Sequence, residues 1–284
     1  IMSDIIFNVI DWNSKDDIED EEEETDESSF VIEAFGKTKD NQSVYLKINN
    51  FTPYFYVEIP KRWQDMHIKK FLNYIKGKTY GKLQNSIITY DVVRRKKLYG
   101  FTAGKKFSFL RIVFNSHMAM RKYSWIFNSK HKIFGLENNN WKHYQLYEAN
   151  IPPMLRFLHI QNINACGWIS VKKYSKLPKR GYNTDISIET EWTDVNSVED
   201  SAISKLKIAS YDLECTSGDG SFPQATRDSD KIIQIGTTFS YNGEEECHFK
   251  HIITLGSCAN IDGAEVESYE TEAEVILAWQ KLIN

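Results

Sequence analysis

The chain has 284 residues, of which 41% are hydrophobic and 26% charged, the composition of a folded globular protein with enough apolar material for two domains. Its net charge of −4 conceals a segregation, with residues 1–60 at −11, 61–180 at +21 and 181–284 at −14. No apolar run approaches the roughly 20 residues of a membrane helix and the first residues do not form a secretion signal, so the sequence reads as a soluble, unsecreted protein whose basic middle suggests a polyanionic partner.

Taken in order, residues 5–10 and 30–35 read as strands, separated by residues 16–27, ten of which are acidic. Such a run repels itself and buries no apolar surface, so it is expected to be a disordered, solvated insertion whose removal matters little. Residues 43–48 alternate, and 53–59 are aromatic and β-branched up to Pro60; both predict strands. Ile68, Phe71, Leu72 and Ile75 predict an amphipathic helix that stops at Gly77. Residues 107–114 are strand-like, Ser116 caps a helix to about Phe127, and Pro152 and Pro153 open another. Residues 168–171 predict a strand returning to this α+β domain, followed by a basic loop, 172–180. The four cysteines, Cys166, Cys215, Cys247 and Cys258, are too widely spaced for a metal or redox pair and are expected as free thiols.

From Ile186 the charge turns acidic and the predicted strands lengthen, over 186–192, 207–214, 231–241 and 246–255, so a second domain is expected to begin there. Asn242-Gly243 predicts a type I′ turn between the last two, making them antiparallel neighbours. Thr271 and Glu274 form a capping box before a helix with one apolar stripe, Val275, Ile276, Trp279, Leu282 and Ile283.

The chemistry sits at Asp212 and Glu214. Two residues apart in a strand, they project from one face while Tyr211, Leu213 and Cys215 face the other. Carboxylates this close repel unless a cation lies between them, and their oxygens are the donors hard divalent metals prefer. In two-metal phosphodiester hydrolysis a carboxylate bridges ions about 3.5–4 Å apart, a role that suits Asp212 with Glu214 as second ligand.

The context around this pair is specific. The stretch Ile208-Ala-Ser-Tyr-Asp-Leu-Glu-Cys215, then Gly220-Ser-Phe-Pro223, then Asp230-Lys-Ile-Ile-Gln-Ile-Gly236, resembles the first exonuclease motif of family B DNA polymerases, above all the delta-like and large-virus enzymes. Tyr54-Phe-Tyr-Val57 ahead of Pro60, Gly167-Trp168 after Arg156-Phe157, and Thr271-Glu272 leading to Ala278-Trp279 extend the likeness over most of the chain. The resemblance implies an α+β architecture, with an amino-terminal mixed α/β domain over residues 1–185 and a partial ribonuclease-H-like 3′–5′ exonuclease domain over 186–284. It implies two Mg²⁺ ions on Asp212 and Glu214, DNA template and primer as partners, and an intracellular replication site. It further implies that the remaining exonuclease motifs lie beyond Asn284. The palm that binds deoxynucleotides and any contact to a sliding clamp are expected there too, leaving this chain inactive by itself. Gln234 carries no metal duty in this reading, and Phe222 reads as a core aromatic in preference to a residue that stacks on substrate.

The basic residues expected to contact nucleic acid are Arg94, Arg95, Lys96 and Lys97 in one block, and Lys172, Lys173, Lys176, Lys179 and Arg180 in the loop before the second domain. Two other readings share these features: a free-standing exonuclease of the same carboxylate type with a basic accessory domain, and a noncatalytic nucleic-acid-binding module. Against the latter, a pure binder has no reason to set two negative charges beside a phosphate.

Overall fold

The computed structural model describes residues 4–17, 29–97, 100–178 and 182–284. In chain order it contains β1 (Ile5–Asp17), β2 (Ser29–Thr38), β3 (Ser43–Asn49), β4 (Tyr54–Ile59), α1 (Asp65–Lys76), β5 (Ile87–Lys96), β6 (Lys106–Phe114) and α2 (His117–Ile126). The short strands β7 (His131–Lys132), β8 (Trp141–Lys142) and β9 (Leu146–Tyr147) follow, then α3 (Pro153–Ile160), β10 (Trp168–Val171), β11 (Ser175–Lys176), β12 (Ile186–Glu191) and β13 (Val195–Val198). The last elements are β14 (Lys207–Cys215), β15 (Ile232–Tyr241), β16 (Phe249–Leu255), β17 (Glu265–Tyr269) and α4 (Glu272–Ile283).

The chain divides into two units, Ile1–Ser204 and Lys205–Asn284, later than the boundary at residue 186 that the charge pattern suggests. The reason is β12, which pairs parallel to β3 from Ile186↔Val44 to Glu191↔Asn49 and so completes the first unit's sheet. Its Ile188 is buried in that sheet's core. A parallel pairing between strands so far apart in sequence leaves no local signature, and acidic outward residues do not report it.

The first unit holds two cores. A seven-stranded sheet runs β11-β12-β3-β2-β1-β10-β13; α3 supplies Phe157 and Leu158 to its apolar side beside Phe7, Ile32, Leu46 and Ile169. A four-stranded sheet, β5-β6-β4-β9, is covered by α1 and α2, whose Ile68, Phe71, Leu72, Ile75, Ala119, Met120 and Tyr123 pack on Phe55, Val57, Leu110 and Ile112. Burial at positions i, i+3, i+4 and i+7 makes α1 the amphipathic helix its spacing predicts, and Gly77 is its C-cap.

Two residues of the expected disordered insertion are instead ordered. Asp16 and Asp17 are the last residues of β1, while 18–28 lie outside the described residues. Asp16 accepts hydrogen bonds from the backbone N–H groups of His117 (2.7 Å) and Met118 (2.8 Å). It thus places a carboxylate on the first turn of α2, where free N–H groups and the helix dipole favour negative charge. The Ser116 hydroxyl adds the expected cap, accepting from Ala119 N at 3.2 Å.

In the second unit β14, β15 and β16 are antiparallel and β17 runs parallel to β16, with α4 packed on one face. Antiparallel strands followed by a covering helix agree with the ribonuclease-H-like start that the motif implies. The Asn242-Gly243 turn departs from type I′: only Gly243 has positive φ (83°), Glu244 N donates to Tyr241 O at 3.1 Å, and β16 starts at Phe249. One positive φ at the third position is the type II pattern. The apolar stripe of α4 is also shifted from its expected set, since Val275, Ala278, Trp279 and Leu282 pack on Ile235 and Ile253 whereas Ile276 and Ile283 are exposed. Among the described residues no helix is long and apolar enough to cross a membrane.

Candidate active site and basic surface

β14 forms one edge of its sheet. In register with β15, Tyr211 lies opposite Thr237, Asp212 opposite Gly236, Leu213 opposite Ile235 and Glu214 opposite Gln234. α4 covers the face of Ile235 and Thr237, where Trp279 Nε1 donates to Thr237 Oγ1 (3.2 Å) and its ring lies 4.8 Å from that of Tyr211. Alternation therefore sends Asp212 and Glu214 to the face away from α4, both exposed. A side chain added at Gly236 would meet nothing within 4 Å, so the strand beside Asp212 leaves that face open.

Asp212 Oδ1 accepts from Leu213 N at 3.0 Å, and Glu214 makes no hydrogen bond or ion pair among the described residues. No third His, Cys, Asp or Glu joins them into a metal-holding group there. The pair is a two-carboxylate surface of hard oxygen donors, suited to part of a divalent-cation site and insufficient to enclose one. Gln234, opposite Glu214, contributes an amide and no charge.

The loop from β14 to β15 is organised by charges that the motif reading did not single out. Buried Asp230 accepts from Gly218 N (3.0 Å), Gln224 N (3.0 Å) and Ser229 Oγ (2.9 Å), and pairs with Arg227 at 3.4 Å. These bonds, the two backbone donors foremost, hold its carboxyl below the usual carboxylate range. Asp219 is lowered as well, chiefly by the Ser221 hydroxyl and backbone N–H, and Arg227 links the two at 2.9 Å from Asp219. A Cβ at Gly218 would lie 2.5 Å from Ser229 Oγ, so any larger residue there would displace Ser229. Its tip carries Phe222, which is 85% exposed. That overturns the expectation of a core aromatic: the loop runs outside the apolar face, and no core reaches it.

The basic residues fall on the two larger sheets of the first unit. Arg94, Arg95 and Lys96 end the edge strand β5 and are exposed. Lys97 is engaged, pairing with Glu58 at 2.7 Å with its Nζ 4.1 Å from the centre of the Phe107 ring. Lys172 and Lys173 follow β10, Lys176 ends the edge strand β11, and all three are exposed, with Lys173 3.9 Å from Asp194. Lys179 and Arg180 lie outside the described residues. A cleft of about 650 Å³ adjoins Arg95 and Lys96, lined by Tyr56, Phe109 and Tyr147; the two carboxylates of β14 sit on open surface instead.

Residues 144–284 match the sequence model of the DNA polymerase family B exonuclease domain. Over 98% of its length the chain is 41% identical to a DNA polymerase of Acanthamoeba polyphaga mimivirus, and over 100% it is 32% identical to a DNA polymerase of Paramecium bursaria Chlorella virus NY2A. Over 89% it is 28% identical to the DNA polymerase delta catalytic subunit of Dictyostelium discoideum. The chain spans only 16%, 29% and 24% of those relatives. The solved family B DNA polymerase of the archaeon Pyrobaculum calidifontis superposes on 98% of the chain with a TM-score of 0.62 at 16% identity, covering 29% of that structure, a likeness of fold. The chain belongs to the family B DNA polymerases.

Proposed function

We propose that the open face of β14 is part of a two-metal 3′–5′ exonuclease site in a DNA-directed DNA polymerase that extends and proofreads DNA. The observation that carries this reading is the placement of Asp212 and Glu214 side by side on a solvent-facing strand surface, with Gly236 clearing the space beside them. Asp212 would bridge two Mg²⁺ ions and Glu214 would hold one of them, their charge offsetting the cations and their strand fixing the spacing. When bound, such ions supply an activated water and stabilise the departing 3′ oxygen. Exposed Phe222, on a loop pinned by Asp230, is placed to stack on a terminal base. Template and primer DNA are the partners of this chain; deoxynucleotides and a sliding clamp belong to other regions of the polymerase. With two carboxylates and no third ligand among the described residues, the 284-residue chain should show negligible turnover of a 3′-labelled single strand.

Titration of the chain with Mn²⁺ under NMR observation tests the site directly. Amide signals of Asp212, Glu214 and Gly236 should broaden first, and Asp212→Asn with Glu214→Gln should abolish that preference. Broadening spread evenly over the acidic residues of the second unit, unaffected by these substitutions, would remove the metal reading.

A further inference from the structure

The cations at the end of the β5–β6 hairpin differ in one respect from the others nearby. Glu58 neutralises Lys97 and Asp91 neutralises Arg111 (2.6 Å), yet Arg94, Arg95, Lys96, Lys105 and Lys106 have no ion pair among the described residues. Lys96 and Lys106 moreover stand directly opposite each other in the ladder. Like charges in that position destabilise a sheet, and no carboxylate among the described residues pairs with them. Among the described residues the hairpin therefore presents unneutralised positive charge that an external anion can satisfy.

Its tip is equally specific. Lys105 N donates to Thr102 O at 3.0 Å, and Ala103 (φ 49°) and Gly104 (φ 71°) are both left-handed, so residues 102–105 form a type I′ turn. Immediately before that turn stands Phe101, 98% exposed. A single exposed aromatic is ordinary on a protein surface. One held next to a tight turn, between two runs of unpaired cations, has the composition of a single-strand binding surface, in which cations follow the phosphates and a ring accepts a base.

We infer that the β5–β6 hairpin grips single-stranded nucleic acid, with a base stacked on Phe101 and the neighbouring phosphates held by Arg94, Lys96, Lys105 and Lys106. This rests on the reading that template and primer DNA are the chain's partners and that its basic stretch contacts them, and adds the strandedness of the ligand and the residue that senses it. In duplex DNA the base faces are already stacked on one another, so Phe101 has a partner only where bases are unpaired.

The test uses the 284-residue chain and labelled oligonucleotides of equal length, one oligothymidylate and one duplex, with binding read by anisotropy at several salt concentrations. The wild-type chain should prefer the single strand. Phe101→Ala should weaken that binding by about 5- to 150-fold, the range set by loss of one base–aromatic stack, with an unchanged salt slope and a lost preference over duplex. Phe101→Trp should retain both. Changing Arg94, Lys96, Lys105 and Lys106 together to Ser should reduce the steepness of the log–log salt dependence by about 0.7 per lost contact. An unchanged single-strand affinity in Phe101→Ala overturns the grip even if the Ser variant binds weakly, an outcome that leaves the DNA-contact reading in place. Absence of binding by the wild-type chain overturns both.

Discussion

At the scale of single residues, Asp230 shows how a buried carboxylate prepares a surface it does not reach. It ties both limbs of the loop that carries Phe222 by accepting from two backbone N–H groups. Its depressed pKa means that the folded loop favours the ionised form. Its contribution is therefore complete above the unfolded value of about 4 and is lost as pH falls through the lower folded value. We predict that the protection factors of the Gly218 and Gln224 amides, exchange relative to the unstructured rate at the same pH, hold down to about pH 4 and fall below it. In Asp230→Asn, exchange at one of those amides should be fast at neutral pH, because an amide NH₂ then faces a donor. Equal protection of both amides in the variant would show that the loop is held by other contacts. Asp212 and Glu214 were legible in the sequence because a period of two fixes which residues share a strand face. Asp230 stood inside the same motif, but its partners are backbone groups of residues 218 and 224, and no side-chain pattern encodes such bonds. Phe222 misled because apolarity argues for burial only where a core is within reach of the chain.

At the scale of elements, α4 separates what its pattern predicts from what its packing uses. The capping box at Thr271 and Glu274 forms as expected, and Val275 reaches full burial between Ile235 and Ile253, while Ile276 is 45% exposed. Val275→Ala should destabilise the second unit by about 2 kcal/mol, from two lost methyl groups and the space they leave. Ile276→Ala should cost no more than about 0.5 kcal/mol, as surface changes do. Chemical denaturation of both variants checks this, and equal losses would mean that Ile276 is covered. Helix starts were readable because caps are local, as at Ser116 and Thr271. The turn at Asn242-Gly243 was misjudged because only its second central residue has positive φ, within a seven-residue connection, 242–248; two consecutive left-handed residues occur at Ala103-Gly104 instead. β5, rich in β-branched residues from Ile87 to Val93, carried a strand signal that its basic end obscured.

At the scale of the whole molecule, the charge segregation and the division into units follow different logics. The basic stretch belongs wholly to the first unit, but so do the acidic residues from 186 to 204, because sheet membership is decided by pairing and burial while charge records only what faces solvent. Charge divides the sequence near residue 186, whereas pairing and burial divide the structure after Ser204. Asp212 and Glu214 are proposed to serve a proofreading site separate from the site of synthesis. The direct measurement is degradation of a mismatched 3′ end, alongside primer extension, by the polymerase that contains this chain, with both residues changed to Ala. Degradation should fall by at least about 10³-fold, as expected when metal ligands of a two-metal site are lost, with extension retained. Undiminished degradation, or loss of extension to the same degree, would contradict the account.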